Sequence, residues 1–319
     1  MLFNDPLKDK YEKKATRDGY GEALVDLGGK YKDMVVLDAD LSGSTKTKDF
    51  SAKYPDRFYN FGVAEQNMVG NAAGMSRAGL VPFASSFAMF LTGRAWEVVR
   101  NTVAYPGNNV KLVATHAGIT LGEDGASHQT IEDVAIMRAI PGMTVIVPSD
   151  FNEAYLAVVA AYTYKGPVYI RLGRPSIPLM YSKDHAFKIG KADIIQKGKK
   201  VAFIANGIMV FEAWKAAKII ENELGVTPFV INMSTVKPLD AETLTSIADD
   251  IDMVVTLEEH NIMGGLGSAV AEYYSETTPK KIIRIGMADV FGQSGTPDEL
   301  LSYYGLTAEK VVQRVKQYL

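Results

Sequence analysis

The stretch Thr115-His-Ala-Gly-Ile-Thr-Leu-Gly-Glu-Asp-Gly-Ala-Ser-His-Gln129 decides how the rest of this sequence is interpreted. It holds two of the four histidines of the 319-residue chain, with acidic residues and three glycines between them. Such a mixture suits a backbone that bends around a polar ligand and suits a helix or strand interior poorly. Residues 110–114 before it have strand character, and residues 131–139 after it have helical spacing. The stretch is therefore predicted to be a loop at a strand end, where open α/β sheets bind ligands.

Strand and helix patterns alternate on both sides of this loop. Short apolar runs typical of buried strands lie at residues 34–37, 80–83, 143–147 and 168–171, and a second series lies at residues 201–205, 229–231, 253–257 and 281–285. Runs with helical spacing separate them, the first beginning at Thr16 as predicted N-cap and another capped by Ser149 or Asp150. This alternation predicts an α/β protein of two doubly wound domains with mainly parallel sheets.

The turn-rich run Gly173-Arg-Pro-Ser-Ile-Pro178 separates the two series of strands. The linker is therefore placed between Arg174 and Lys188. We expect an N-terminal arm at residues 1–15, a first domain at residues 16–180 and a second domain at residues 189–319.

Composition narrows the possible partners. The formal net charge is −3, and lysines and arginines are scattered among acids, so no basic face for nucleic acid or an anionic membrane stands out. The N-terminus lacks the pattern of a signal peptide, and the most apolar segment is broken at Asn206 and Gly207, short of the ~20 residues that span a bilayer. The absence of cysteine excludes disulfides and thiolate chemistry and weakly favours the cytosol. We expect a soluble, cytoplasmic protein.

The position of Glu65 in the sequence is consistent with a structural role or a catalytic one. It opens a helix after Gly62-Val-Ala64, where the backbone dipole stabilises a carboxylate whatever its function. The alternative is catalytic, because an acid among small apolar residues can share a strong hydrogen bond with a ring nitrogen of a bound heterocycle. Phe87 and Phe90 are equally open, since aromatic side chains beside a strand form either core or a stacking wall.

The two histidines of the loop are candidates for chemistry. His116 and His128 could bind zinc with Glu123 or Asp124, but a separation of twelve residues fits no compact ligand pattern. General acid–base or phosphate-binding roles are favoured, and no metal site is expected in this chain. Glu123-Asp-Gly125 also lacks the first glycine of a magnesium diphosphate motif, so that reading is rejected.

Other candidates lie at the ends of neighbouring strands and where loops meet them. Asp40 and Ser44 follow the strand at residues 34–37 in a small polar loop. Arg17 and Arg174 are either surface ion pairs or phosphate ligands, since a guanidinium fork suits phosphate. Glu258-Glu-His260 and the glycines at 264–267 are interpreted as a structural strand end and helix entry.

Together these motifs resemble the transketolase family: Gly62-Val-Ala-Glu65, Phe87-x-x-Phe90, His116 with Gly122-Glu-Asp-Gly-x-x-His-Gln129, and Gly173-Arg174. The resemblance covers nearly the whole chain from Thr16 onward. It corresponds to the pyrimidine-binding domain and the C-terminal domain of a full-length transketolase. The resemblance implies the C-terminal subunit of a split, two-chain enzyme, which self-associates as a dimer in a two-plus-two assembly.

The resemblance also implies a cofactor and a reaction. Thiamine diphosphate would bind by its pyrimidine end here, and the N-terminal subunit would carry Mg²⁺ and the diphosphate site. Glu65 would bond the aminopyrimidine and promote its imino tautomer, Phe87 and Phe90 would form its wall, and Asp40 would lie near it. A two-carbon ketol unit would pass from a ketose phosphate to an aldose phosphate, as in the pentose phosphate pathway.

The remaining site residues would face the sugar. By the same resemblance, His128 polarises substrate oxygens or relays protons, and Asp124 reads a substrate hydroxyl. The sugar phosphate is held by Arg17, Ser44, His116 and Arg174.

One departure from the transketolase pattern leaves other classes of enzyme as alternatives. Where transketolases usually have a tyrosine after the second wall phenylalanine, this chain has Gly93 and Arg94, which is more like a deoxyxylulose-phosphate synthase. The beta subunit of a two-chain 2-oxo acid dehydrogenase shares the length and domain order. A non-catalytic binding subunit with the same fold is a further alternative, which the intact Glu65, Asp124 and His128 argue against.

Overall fold

The strands that position the site lie in a mixed sheet of seven strands within residues 12–319, which are the residues that this computed structural model describes. The order across the sheet is Thr235–Lys237, Thr144–Ile146, Val168–Arg171, Lys111–Thr115, Val81–Phe87, Met34–Asp38 and Phe58–Asn60. All neighbours are parallel except Thr235–Lys237 and Thr144–Ile146. Val81–Phe87 and its two neighbours are buried along their whole length, as helices on both faces require.

The register of the parallel strands brings the predicted site residues to one edge. Phe87 pairs with Thr115, and Asp38 pairs with Ser85, so the strands end side by side. The chain leaves them as the loops that carry Asp40, Phe90 and His116. Carboxyl ends of neighbouring parallel strands form the usual ligand crevice of such sheets.

Helices cover both faces of this sheet, with a separate apolar core on each face. Those of the first domain longer than one turn are Thr16–Lys30, Lys48–Lys53, Glu65–Arg77, Asp133–Arg138 and Phe151–Thr163, and the shorter helical pieces are Ser42–Thr45, Pro55–Arg57 and Ile119–Leu121. Asp150 caps Phe151–Thr163 by accepting from the Glu153 N–H, as predicted. Thr16 is not the cap predicted for Thr16–Lys30. Its hydroxyl instead accepts from the Gly173 N–H at 2.9 Å, which ties the helix start to the end of the domain.

The segment after Val81–Phe87 is wound differently from the continuous helix that its spacing predicts. Met89–Arg94 and Val99–Ala104 are π-helical turns, with the single α-helical turn Trp96–Val98 between them. A π-turn holds one more residue than an α-turn and re-aims the side chains around it, often at functional sites.

A second sheet of five strands lies within the described residues of the second domain. Its order is Lys281–Met287, Ile251–Asn261, Lys200–Ala205, Phe229–Asn232 and Asp193–Gln196, with only the last strand antiparallel to its neighbour. The helices around it are Met209–Leu224, Ala241–Ile247, Leu266–Glu276, Pro297–Tyr303 and Ala308–Val315, with 3₁₀ turns at Ala248–Asp250 and Lys316–Tyr318. Cores on both faces make this domain doubly wound as well. The predicted fold class is therefore confirmed.

The structure differs from the sequence interpretation at the domain borders. Lys13–Ala15, the end of the predicted arm, is a strand paired with Ser176–Pro178 of the predicted linker, while residues 1–11 lie outside the described residues. Thr235–Lys237, beyond the linker, completes the first sheet rather than the second. Hydrophobic patterning cannot reveal such pairings, because it does not specify a strand's partner. None of the helices in residues 12–319 is both long and apolar enough to cross a membrane.

Candidate functional site

Glu65 is buried at the first turn of Glu65–Arg77, with 1% of its surface exposed. Its Oε1 lies 3.4 Å from the hydroxyl of Ser86, which the central strand supplies. Its Oε2 accepts a hydrogen bond of 2.6 Å from Arg94. A buried carboxylate needs such partners, because unpaired ionised groups are costly away from water.

Aromatic rings line the same place. Phe87 and Phe90 lie nearly parallel, with 6.1 Å between ring centroids and 15° between planes. The ring of His116 stacks on Phe87 at 3.9 Å, and His128 meets Phe90 edge-on at 5.4 Å. The strand end thus brings both predicted wall residues together with both predicted histidines. We call Glu65, Ser86, Phe87, Phe90 and Arg94 the Glu65 edge.

Arg17 and His116 form the next part of the site. The Arg17 guanidinium donates to the Ser44 carbonyl at 3.1 Å and lies 3.2 Å from His116 Nε2. A guanidinium has only donors, so Nε2 is the acceptor and the ring proton is on Nδ1, facing the Thr115 hydroxyl at 2.8 Å. Ser44 therefore contributes its carbonyl rather than its hydroxyl here.

The electrostatic environment keeps His116 neutral. Burial lowers the pKa of His116 to about 3, and the positive charges of Arg17, Arg174 and Lys46 add to the effect. His116 also has φ of 59°, a left-handed conformation that non-glycine residues rarely adopt and that often marks a functional site. The cluster is rich in positive charge and suits an anion.

Arg174 lies within electrostatic reach of Arg17 and His116. Its guanidinium bonds the Leu121 carbonyl at 2.6 Å and the Glu123 carboxylate at 2.8 Å. It therefore fastens the middle of the 115–129 loop to the end of the first domain, and Glu123 balances part of its charge.

Two of the predicted site residues, Asp40 and Asp124, are exposed to solvent. Asp40, with φ of 64°, is exposed and exchanges hydrogen bonds with Asn60. Asp124 is exposed at the turn of the loop. His128 is half-buried, and its Nδ1 lies 2.9 Å from the Ser127 hydroxyl.

Residues of the second domain contact the 115–129 loop and fix its shape. The Glu259 carboxylate accepts from the Thr120 N–H at 2.6 Å and lies so close to Gly118 that a Cβ there would be 2.3 Å from it. Gln129 donates to the Ile119 and Gln293 carbonyls at 3.0 and 2.9 Å. The loop's shape therefore depends on residues more than 130 positions away in the sequence.

A buried ion pair lies under this junction. Arg171 donates to Asp133 at 2.8 Å, and the Tyr169 hydroxyl donates to the same carboxylate at 2.6 Å. Arg171 also bonds the Glu259 carbonyl at 2.8 Å. The pair thus joins the strand Val168–Arg171 to the second domain.

The sequence assigns no role to Glu259, Gln129 or the ion pair, and Arg94 enters only as a departure from the family pattern. It predicts a structural role for Glu258-Glu-His260. That holds for Glu258, which accepts from the Leu266 and Gly267 N–H groups and caps Leu266–Glu276. Glu259 points to the opposite face of the strand. Two adjacent acids in a strand could have indicated this, because neighbouring side chains of a strand point to opposite faces of the sheet.

These residues fit the pyrimidine end of thiamine diphosphate. A buried acid beside parallel aromatic rings offers both a hydrogen bond and a stacking surface to a heterocycle. Within residues 12–319, no three histidine, aspartate or glutamate side chains are grouped so that they could bind a metal ion.

Comparison with known proteins agrees with this architecture. The family model for the transketolase pyrimidine-binding domain matches residues 12–180, and that for the transketolase C-terminal domain matches residues 190–311. A relative from Methanocaldococcus jannaschii, provisionally described as a transketolase C-terminal section, is 52% identical over 95% of this chain and 96% of its own length. A 6-deoxy-6-sulfo-D-fructose transketolase subunit from a Clostridium species is 41% identical over 98% of this chain and 96% of its own.

A solved structure described as a split-gene transketolase in an inactive beta4 tetramer is also similar. It has a TM-score of 0.88 at 49% identity, over 96% of this chain and 98% of that one. The fold and the matched domains define a thiamine diphosphate-dependent enzyme of the transketolase type. The chain belongs to the transketolase family and corresponds to the C-terminal subunit of its split, two-chain members.

Proposed function

We propose that this chain is the C-terminal half of an active transketolase, which moves a two-carbon ketol unit from a ketose phosphate to an aldose phosphate. One observation carries the proposal. The buried acid and aromatic pair of the Glu65 edge lie beside the cation-rich Arg17–His116 cluster. A cofactor heterocycle and a sugar anion could therefore bind side by side.

The chain's own residues would bind, orient and move protons. Thiamine diphosphate, when bound, stabilises the carbanion that cleavage of a ketose carbon–carbon bond produces. Glu65 would hold a ring nitrogen of the pyrimidine and share a proton with it, with Phe87 and Phe90 as the stacking surface and Asp40 nearby. His128, edge-on to Phe90, would exchange protons with substrate oxygens. Asp124 would accept from a substrate hydroxyl.

The anion of the sugar would lie at Arg17, His116 and Arg174, next to Ser44. The His116 nitrogen that faces Arg17 is an acceptor, which supports a role in orienting the guanidinium toward the anion. The sulfosugar named for the Clostridium relative has a sulfonate in place of a phosphate. Both anions suit a guanidinium fork, so the cluster alone does not choose between them.

The partner would supply what this chain lacks. We propose that an N-terminal subunit carries Mg²⁺ and the diphosphate site, and that two copies of each chain assemble, with a dimer through the first domain. The related structure that consists of an inactive beta4 tetramer supports the need for a second kind of chain. The proposed setting is the cytoplasm and the pentose phosphate pathway.

The test is reconstitution. The purified chain, its co-purified N-terminal subunit and their mixture are assayed with Mg²⁺, thiamine diphosphate and an aldose phosphate. The donors are xylulose 5-phosphate, 6-deoxy-6-sulfofructose and pyruvate. We expect turnover only in the mixture and only with the ketose donors. Turnover by this chain alone would contradict partner dependence, and preference for pyruvate would instead indicate a synthase or dehydrogenase of the same fold.

An arginine variant tests the anion subsite in the same assay. Arg17→Met keeps an unbranched apolar stem and removes the guanidinium. We expect the KM for the anionic donor to rise by about 10- to 100-fold, as for loss of a charged hydrogen bond, with a smaller change in kcat. Arg57→Met is the matched control, because Arg57 contacts carbonyls at Gly28 and Tyr31 outside the site. An unchanged KM in Arg17→Met would place the anion elsewhere.

A further inference from the structure

Arg94 is bound to the Glu65 edge in two ways. Its guanidinium donates to Glu65 Oε2 at 2.6 Å and lies over the ring of Phe90, 4.8 Å from the ring centroid. The π-helical turn Met89–Arg94 sets the direction of the side chain, which is half-exposed. A planar, nitrogen-rich group thus combines a hydrogen bond to the buried acid with stacking on the wall.

The faces of the aromatic wall are occupied by the chain's own groups. His116 stacks on Phe87, Phe87 and Phe90 lie nearly parallel, and the Arg94 guanidinium lies over Phe90. A third ring would need about 7 Å between Phe87 and Phe90, because stacked atoms stay about 3.5 Å apart. The ring centroids of Phe87 and Phe90 are 6.1 Å apart, so a third ring does not fit between them.

We propose that Arg94 holds the position of the cofactor's aminopyrimidine in the free chain, so that the cofactor binds by displacing its guanidinium from Glu65 and Phe90. This inference rests on the proposed function and deepens it, since it assigns Arg94 as a competitor for the cofactor. A heterocycle that bonds Glu65 and stacks on Phe90 needs both contacts that Arg94 now makes.

The bond from Arg94 to Glu65 stabilises the chain while no cofactor is bound. Glu65 is 1% exposed, and a buried carboxylate without a partner destabilises the folded chain. Arg94 satisfies it until the cofactor does. Because the arginine is half-exposed, its guanidinium can move into water at modest cost. Cofactor affinity in the assembled enzyme is therefore lowered by the strength of the Arg94 contacts.

The test measures cofactor binding without any sugar present. Thiamine diphosphate is titrated by calorimetry into the two-chain complex with Mg²⁺, for the wild type, Arg94→Met and Arg94→Ala. Both variants remove the competitor, and we expect the Kd to fall on the order of tenfold. Arg100→Met is the matched control, because Arg100 lies on the same segment but bonds the exposed Asn101. We expect its Kd to equal that of the wild type.

Thermal unfolding of the same complexes gives an independent readout. Without the cofactor, Arg94→Met should melt below the wild type, since Glu65 loses its partner. On saturation with thiamine diphosphate, its melting temperature should rise by more than that of the wild type. Equal or weaker cofactor binding by both variants would overturn the proposal and make Arg94 a ligand or a structural residue. A wild-type complex that binds no thiamine diphosphate would overturn the proposed function itself, and this inference with it.

Discussion

The two sides of the candidate site are held in different ways. The contacts among the residues of the Glu65 edge join positions no more than 30 apart, and these residues come from the central strand and the helical turns beside it. The 115–129 loop is fixed by Glu259 and Gln293 of the second domain, 139 and 164 positions from their partners. One side is local to the first sheet, and the other depends on how two domains pack.

This difference suggests how the work is divided. The cofactor's heterocycle is the same whichever sugar reacts, so a rigid, local surface can hold it. The sugar side can be changed through the second domain without disturbing that surface. Changes at the Glu65 edge should therefore affect every donor equally, whereas changes under the loop should alter KM and depend on the donor.

The largest effect is expected from Glu65→Gln in the two-chain enzyme. The amide keeps the shape of the side chain but cannot exchange a proton with a ring nitrogen, and proton transfer by a positioned side chain contributes about 10²- to 10⁴-fold. We expect kcat to fall by that range for all donors, with KM nearly unchanged. Steady-state kinetics check this, and the matched control is Glu97→Gln, the same change at an exposed acid that bonds Asn101. An active Glu65→Gln enzyme would favour a non-catalytic binding role for this chain.

The next effect concerns the junction under the loop. Asp133→Ala leaves Arg171 charged and buried without its partner, which costs about 3–5 kcal/mol in the free energy of unfolding. The matched control is Glu272→Ala, which breaks the exposed pair with Arg138 and should cost less than about 1 kcal/mol. Denaturant unfolding of both variants gives the comparison. Equal losses would show that the junction adds nothing beyond a surface ion pair.

The local side of the site is also the side that the sequence predicts well. Apolar runs at residues 34–37 and 80–83 locate two parallel strands, and the rule that ligands bind at carboxyl ends then groups Asp40, Phe87 and His116. Glu65 follows from the start of the next helix. These inferences need only patterns within about ten residues and the geometry of one sheet.

The distant side could not be predicted, for physical reasons. That Glu259 reaches Thr120 depends on the packing of two domains, which no periodicity encodes. The strand Thr235–Lys237 pairs across the domain border through backbone groups that every residue has. The turn that aims Arg94 at Glu65 is π-helical, and its apolar spacing looks like that of an ordinary helix. The roles assigned to the site residues, Asp124 and His128 among them, stay predictions.

A smaller effect is expected in the pH dependence of stability. The pKa of His116 is lowered from 6.5 to about 3 in the folded chain, chiefly by burial. The unfolded chain therefore binds the proton first, and acid favours unfolding as the pH falls from about 6.5 toward 3. At pH 5 the loss is about 2 kcal/mol. His116→Gln should remove this part of the slope, measured by denaturant unfolding between pH 7 and 5, whereas an unchanged slope would mean that His116 is not held neutral.

The smallest effect separates loop positioning from stability. Glu259→Gln keeps an oxygen near the Thr120 N–H but replaces a charge-assisted hydrogen bond by a neutral one, a difference of about 1 kcal/mol. We expect the KM for the sugar donor to rise about fivefold, with the Kd for thiamine diphosphate unchanged. Glu258→Gln is the matched control, because this equally buried neighbour caps Leu266–Glu276 and does not contact the loop. It should lower the unfolding free energy and leave KM alone. If both variants raise KM equally, the second domain acts on the loop through its overall stability rather than through Glu259.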